Sequence, residues 1–218
     1  MINIYIMTTV INNLYKSKKN ILQYLKEQNY DTILHENFSM TEIQAMLEST
    51  SEDGVSSLDF EVIDKDDKEK SCKVCFYTKP STIKQNKLES MAMSYYEDHD
   101  KTKSTLIIIM QGNINDTTRK SIKSMWKKFQ EYVIIFEIRS LLFNLFTHNY
   151  VPKHIKMTQE EREMLKQEKN ILNDSQIPEI SVFDPVAKAL MMRPGDMCKI
   201  IRYDQISLQN EFYRICVI

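Results

Sequence analysis

Two apolar runs, Leu106-Ile107-Ile108-Ile109-Met110 and Val133-Ile134-Ile135-Phe136, constrain this chain more than any other feature. A bilayer-spanning helix needs about 20 predominantly apolar residues, so neither run is long enough to cross a membrane. Both read as buried strands. Between them Ile122, Met125, Trp126 and Phe129 recur at helical spacing, and Asn115 or Asp116 stands where a helix cap is expected. A capped amphipathic helix is therefore expected between the two strands.

At 218 residues the chain is long enough for one large domain or two small ones, each with its own core. A mean hydropathy of -0.41 is that of an ordinary soluble globular protein. The formal net charge of -1 argues against a protein held on nucleic acid by bulk charge, and leaves room for a local basic patch. No basic segment precedes the first apolar positions, Ile4, Ile6 and Val10, so no signal peptide is expected; the chain is expected to stay intracellular and off membranes.

The four cysteines do not form a disulfide framework in a chain of this length. Cys72 and Cys75 make a C-x-x-C pair, but Val74, Phe76 and Thr78 around them alternate as in a strand, where residues three apart point to opposite faces. Two sulfurs on opposite faces do not share a metal, and Cys198 and Cys216 lie far away in sequence. His35, His99, His148 and His154 are scattered and read as surface or capping positions.

Val10, Leu14, Ile21, Leu22 and Leu25 fall near helical spacing and predict a first amphipathic helix over residues 9 to 29. Ser39 and Glu42 form a capping-box signature before Ile43, Met46 and Leu47. A turn-rich stretch, Ser49 to Ser57, leads to Leu58, Phe60 and Val62, which alternate with polar residues and pair as a strand with the segment around Val74 and Phe76. The run 64 to 70, Asp-Lys-Asp-Asp-Lys-Glu-Lys, reads as a solvated connection between them. Asp59, Glu61 and Asp66-Asp67-Lys68 loosely match the carboxylates and lysine of restriction-type nucleases, which hold Mg²⁺ for phosphodiester hydrolysis. Such a site needs those groups on rigid strand ends facing one pocket, whereas this Asp-x-Lys element falls in a turn. Residues 86 to 99 read as a helix with Leu88, Met91 and Tyr95 on one face.

The helix after the first apolar run carries the compact basic face of the chain, Arg119, Lys123 and Lys127 with Lys120 beside them. A helix starting at the end of a buried strand presents free N–H groups and a positive dipole end, a ready place for a phosphate, to which Thr117 and Thr118 would add hydroxyls. The same face also serves solubility, and both readings stand. With no base-reading constellation, any nucleic-acid contact is expected to be to the backbone and insensitive to sequence.

Beyond a boundary near His148-Asn149 the punctuation changes. Thr158 and Glu161 form a capping box for a short helix with Met164 and Leu165 inside, and Ile177-Pro178 closes that unit. Asp184-Pro185 starts another helix, Asp as N-cap and Pro at the first helical position. Pro194-Gly195 turns the chain into a strand, Met197 to Arg202, that pairs with Glu211 to Ile218.

Val151-Pro152-Lys153-His154, Ile177-Pro178, Asp184-Pro185-Val186-Ala187-Lys188, Lys199-Ile200-Ile201-Arg202 and Tyr213-Arg214, in that order, closely resemble the fifth subunit shared by the nuclear RNA polymerases of eukaryotes. The C-terminal part of that family corresponds to a small subunit of the archaeal polymerase. The first basic helix, the strand and turn Leu106 to Gly112 and the following helix start resemble the family's N-terminal jaw domain. The resemblance implies an α+β protein: an N-terminal α/β jaw domain, a mixed sheet flanked by helices, over residues 1–147, and a smaller C-terminal α+β assembly domain over 148–218. It implies a non-catalytic subunit, with no catalytic residue, metal or cofactor of its own. Its expected partners are the largest polymerase subunit, other polymerase subunits and downstream duplex DNA. Carried over by position, Val151, Pro152, His154, Pro178, Asp184, Pro185, Val186, Lys188, Arg202 and Arg214 are the expected partner-binding residues. Thr117, Thr118, Arg119, Lys120 and Lys123 are expected nearest the DNA.

Lys188 stands where the family usually has arginine, and the hairpin Asp204 to Phe212 lacks the family's glycine-containing turn, leaving its register open. These departures resemble a copy encoded by a large DNA virus, which would place it at cytoplasmic transcription sites and in the virion; a cellular copy would be nuclear. A metal-dependent nuclease and a freestanding DNA-binding regulator are the alternative functions.

Overall fold

The computed structural model describes residues 2–48, 57–79, 81–204 and 208–218. It divides into two compact units, Met1–Phe143 and Asn144–Ile218. Most of the expected turn-rich stretch, residues 49 to 56, lies outside the described residues, as do residues 205–207 of the last hairpin.

The first unit is built on a four-stranded sheet in the order β1-β2-β3-β4: β1 (Phe60–Ile63), β2 (Ser71–Tyr77), β3 (Thr105–Met110) and β4 (Val133–Glu137). β1 and β2 form an antiparallel hairpin, in register Phe60↔Val74 to Ile63↔Ser71. β2, β3 and β4 run parallel. Parallel neighbours need long crossovers, and here helices supply them: α4 (Gln85–Tyr96) between β2 and β3, and α5 (Asp116–Phe129) between β3 and β4. Every residue of β3 is buried, which is why the sequence there is a continuous apolar run with no alternation.

The chain opens with α1 (Ile2–Glu27), α2 (Ile33–Glu36) and α3 (Met40–Glu48). α1 begins seven residues before the predicted start at 9; the polar residues Thr8 and Thr9 are exposed on it rather than breaking it. Its stripe Leu14, Ile21, Leu22 and Leu25 is buried, and Asn29, at φ 70°, follows its end. Lys18 is buried too, its ammonium 5.0 Å from the Phe38 ring centre and 5.5 Å from that of Phe60. Burial pushes that ammonium's pKa down, with the Glu42 carboxylate opposing. The expected capping box before α3 is formed: the Glu42 N–H donates to Ser39 Oγ at 3.2 Å and the Ser39 N–H to Glu42 Oε2 at 2.6 Å.

Polar groups tie the unit together at the sheet's end. In α4, the Tyr96 hydroxyl donates to the Tyr132 carbonyl at 2.6 Å and Tyr95 Oη lies 2.7 Å from Ser71 Oγ. The run 64 to 70 is not merely a solvated connection. Asp64 is buried at 6% exposure; its Oδ1 accepts the N–H groups of Asp66 and Asp67 at 3.0 and 3.3 Å, and its Oδ2 pairs with Lys70 Nζ. A carboxylate folded back on its own turn satisfies backbone donors that water would otherwise take. Two apolar positions differ from expectation in the same way. Phe129, at the last turn of α5, is 52% exposed, and Met164 in the second unit is 61% exposed, because each sits at the edge of its helix's buried stripe.

The second unit is a smaller sheet in the order β5-β7-β8-β6: β5 (Lys153–Lys156), β6 (Glu179–Ser181), β7 (Met197–Asp204) and β8 (Leu208–Val217). α6 (Gln159–Glu168) carries the full capping box of Thr158 and Glu161, and its Leu165 joins Ile177, Met197 and Ile215 in one core cluster. α7 (Pro185–Ala189) starts as predicted, with Asp184 Oδ1 accepting the N–H groups of Val186 and Ala187 at 2.8 and 3.4 Å. Gly195, at φ 95°, makes the turn before β7. The register open in the sequence is Met197↔Ile215 through Asp204↔Leu208.

Burial raises the Asp64 carboxyl's pKa, but the Lys70 ammonium and the two turn amides outweigh it and hold it below the ordinary aspartate value. A carboxylate depressed in the folded state stabilises the fold above its unfolded pKa and loses that contribution as pH falls through the folded one. Asp64→Asn is expected to lower stability at neutral pH by about 1–3 kcal/mol. In urea unfolding between neutral pH and acid, its deficit should shrink as the pH drops; a deficit independent of pH would show that the charge is not what matters.

Candidate functional site

Strand parity assembles the site of the second unit. Side chains alternate across a sheet, and directly paired residues share a face. The pairs His154↔Ile200, Cys198↔Arg214 and Ile180↔Cys216 therefore put His154, Ile180, Ile200, Arg202 and Arg214 on one face. Glu179, paired with Ile215, turns its side chain to the other. Above that face, the segment Tyr150-Val151-Pro152 and the α7 start at Asp184 and Val186 close around a concave site of about 410 Å³.

Seven of the ten expected partner-binding residues line this cavity: Val151, Pro152, His154, Asp184, Val186, Arg202 and Arg214. The other three stand apart from it. Pro178 is exposed and uses its carbonyl to accept the Ile215 N–H at 3.0 Å; Pro185 is the exposed first residue of α7; Lys188 is half-buried in the last turn of that helix. Tyr150, Ile180 and Ile200 were missed by sequence reasoning, although the alternation of β7 was a signal for Ile200.

Within the site, His154 is half-buried rather than a surface residue. Its Nδ1 lies 2.6 Å from the Pro152 carbonyl, so Nδ1–H donates there and Nε2 carries the lone pair. Burial lowers its pKa from the ordinary histidine value; the Arg202 and Arg214 guanidiniums push the same way, against the Pro152 carbonyl and the Asp184 carboxylate. Arg214 Nη1 donates to the Glu179 carbonyl at 2.7 Å, and the Arg202 guanidinium lies 4.9 Å from the Phe212 ring centre.

In the first unit, the start of α5 is fixed by Asn115, whose Oδ1 accepts both the N–H and the hydroxyl of Thr118 at 2.8 Å. Glu137 at the end of β4 holds the preceding loop by accepting the Ile114 N–H at 2.8 Å. Thr118 therefore differs from its expected role: it is buried, and its hydroxyl points into the cap instead of outward. Thr117, Arg119 and Lys120 are exposed, and Lys123 is half-buried. A cavity of about 300 Å³ separates this helix start from Thr82 and Lys84 ahead of α4 and from Gln85 at its first position.

The carboxylates of the nuclease reading are tied into the scaffold separately. Asp59 Oδ1 accepts the Phe76 N–H at 2.7 Å, Glu61 pairs with His99 at 2.8 Å, Asp66 accepts from Asn29 at 2.7 Å and Asp67 pairs with Lys103 at 3.0 Å. Among the described residues no group of three or more His, Cys, Asp or Glu side chains is arranged to hold a metal ion. Cys72 and Cys75 are both buried in β2; burial pushes the Cys75 thiol up to about 12 and the Cys72 thiol up as well, far from the thiolate a metal or redox reaction needs. Among the described residues no helix is long and apolar enough to cross a membrane.

Residues 143–216 match the family model of RNA polymerase Rpb5, C-terminal domain. The chain is 29% identical over 212 residues to the DNA-directed RNA polymerases I, II, and III subunit rpabc1 of Dictyostelium discoideum, a match covering 95% of this chain and 98% of that relative. It is 36% identical over 116 residues to the subunit RPABC1 of Caenorhabditis elegans, covering 52% of this chain and 53% of the relative. The RPABC1 subunit of Caenorhabditis briggsae matches equally.

Two measurements test this geometry. The His154 resonances should titrate below the ordinary histidine range, and Arg202→Gln should move the midpoint upward; a midpoint indifferent to that change would place the guanidinium elsewhere. Asn115→Ala should destabilise the first unit by about 1 kcal/mol through loss of the α5 cap, read as a lower midpoint in chemical unfolding.

Proposed function

The chain belongs to the RNA polymerase Rpb5 family, and from that premise we propose that it is a non-catalytic subunit of a multisubunit DNA-directed RNA polymerase. The second unit is the assembly domain and docks on the largest subunit through the concave face bearing Val151, Pro152, His154, Asp184, Val186, Arg202 and Arg214. The first unit is the jaw and lies along downstream duplex DNA. The observation that carries the docking reading is the gathering of these seven residues, drawn from four separate segments of sequence, around one cavity. Pro178, Pro185 and Lys188 act indirectly, by shaping β6 and α7.

For the jaw, the supporting feature is the basic surface of α5, where Arg119, Lys120, Lys127 and Lys128 are exposed beside Lys123. These residues meet the phosphate backbone without reading bases, together with Thr117. Thr118 contributes by holding the cap. With a net charge of -1 the isolated chain grips DNA weakly, and the polymerase holds the jaw in place. The active-site chemistry belongs to other subunits. A viral copy works at cytoplasmic transcription sites and in the virion, a cellular one in the nucleus.

Affinity purification of the tagged chain from its native source should bring down the largest polymerase subunit; its absence would end this reading. Changing Arg119, Lys120 and Lys123 together to Ala should leave assembly intact and weaken the assembled polymerase's hold on downstream DNA. The slope of log K against log salt should become shallower by about 0.9 for each phosphate no longer neutralised. Tight binding of duplex DNA by the isolated chain at physiological salt would favour a freestanding regulator instead.

A further inference from the structure

The second unit pairs several of its cations with carboxylates. Lys156 meets Asp196 at 2.6 Å, Arg162 and Lys166 meet Asp174 at 2.6 and 2.7 Å, and Lys199 meets Glu211 at 2.6 Å. At the concave face the pattern stops. Among the described residues neither Arg202 nor Arg214 is in an ion pair: one lies over the Phe212 ring and the other donates to a backbone carbonyl. Of the two acidic residues around the cavity, Asp184 uses Oδ1 to cap α7, and Glu179 turns its side chain to the opposite face of the sheet.

Two arginines that make no ion pair among the described residues, on the rim of one cavity, are a receptor for anionic groups. The walls say which kind. Val151, Pro152, Ile180, Val186 and Ile200 supply apolar groups to a lining that is otherwise polar. Tyr150, 91% exposed, lines it as well. A phosphodiester chain has no apolar groups to place there. A peptide can supply both chemistries, an apolar side chain for the lining and carboxylates for the arginines. Tyrosine and arginine are also the residues most enriched where protein partners meet.

We propose that this cavity receives an acidic peptide segment of the partner, its carboxylates seated on Arg202 and Arg214 and an intervening apolar side chain on the Val151–Ile200 lining. The assignment rests on the docking reading above and adds the chemistry of what docks. The occupied site replaces the water around two guanidiniums with charge-assisted hydrogen bonds, so the segment's register is set by its acidic residues.

The test uses the full chain and a series of overlapping peptides covering the largest polymerase subunit, with binding followed by fluorescence anisotropy. Peptides carrying Asp or Glu on either side of an apolar residue should bind, and changing those acids to Asn or Gln should abolish binding. Arg202→Glu and Arg214→Gln should each weaken binding about tenfold or more. Replacing the peptide's acid with Arg should restore binding to the Arg202→Glu chain. Arg202 is exposed, so its variant tests the proposal even if the half-buried Arg214 proves necessary for folding. The proposal is overturned if the peptides retained are neutral or basic, if binding is indifferent to both arginines, if no peptide binds, or if a random-sequence DNA duplex competes with the bound peptide for the site. If the chain still co-purifies with the largest subunit in any of those cases, the docking reading survives and only the acidic segment falls. If it does not co-purify, both fall.

Discussion

The second unit depends on one constraint, the antiparallel register of β7 and β8. With Cys198 opposite Arg214 and Ile200 opposite Phe212, the cavity-facing residues of both strands share a side, while Met197 and Ile215 meet under α6. A slip of one residue would exchange the faces, burying the arginines and exposing the core. The apolar contacts of Leu165 and Ile177 with Met197 and Ile215 therefore do more than stabilise the sheet. They select the register that presents Arg202 and Arg214.

The first unit obeys a complementary rule. Its acidic groups and caps are largely consumed in building the scaffold: Asp59 on a strand amide, Asp64 inside its turn, Glu137 on the loop before α5, Asn115 on the helix start. Groups bound this way are held apart on separate partners, and among the described residues they form no metal-holding cluster. What the scaffold leaves outward on α5 is a set of lysines with Arg119. The two units thus expose different chemistries, a basic helix face in one and a defined cavity with two guanidiniums in the other.

Local chemistry was legible in the sequence where its effect is local. The boxes at Ser39/Glu42 and Thr158/Glu161, the Asp184-Pro185 start and the apolar run of β3 are visible because cap, turn and burial are written into neighbouring residues. What escaped depends on distant partners. Thr118 reads as an exposed hydroxyl until Asn115 folds over it, and Asp64 reads as one charge among many until Asn29 and Lys70 surround it. Met164 and Leu165 cannot be told apart by type, yet a helix turns about 100° between neighbours, so only one reaches the core. The motifs of the last third name seven of the residues that the cavity gathers; their convergence came from strand pairing, which brought Ile180 and Ile200 beside them.

The central claim is that the arginine-bearing side of the second unit, and not its helix-covered side, meets the polymerase. Site-specific photocrosslinking in the assembled enzyme tests it directly, with a benzophenone side chain placed at position 150 beside the cavity or at position 164 on the outer surface of α6. Both positions are exposed in the isolated chain, so both tolerate the probe. Crosslinks to the largest subunit from position 150 and none from position 164 are the predicted result. The reverse pattern would contradict the account.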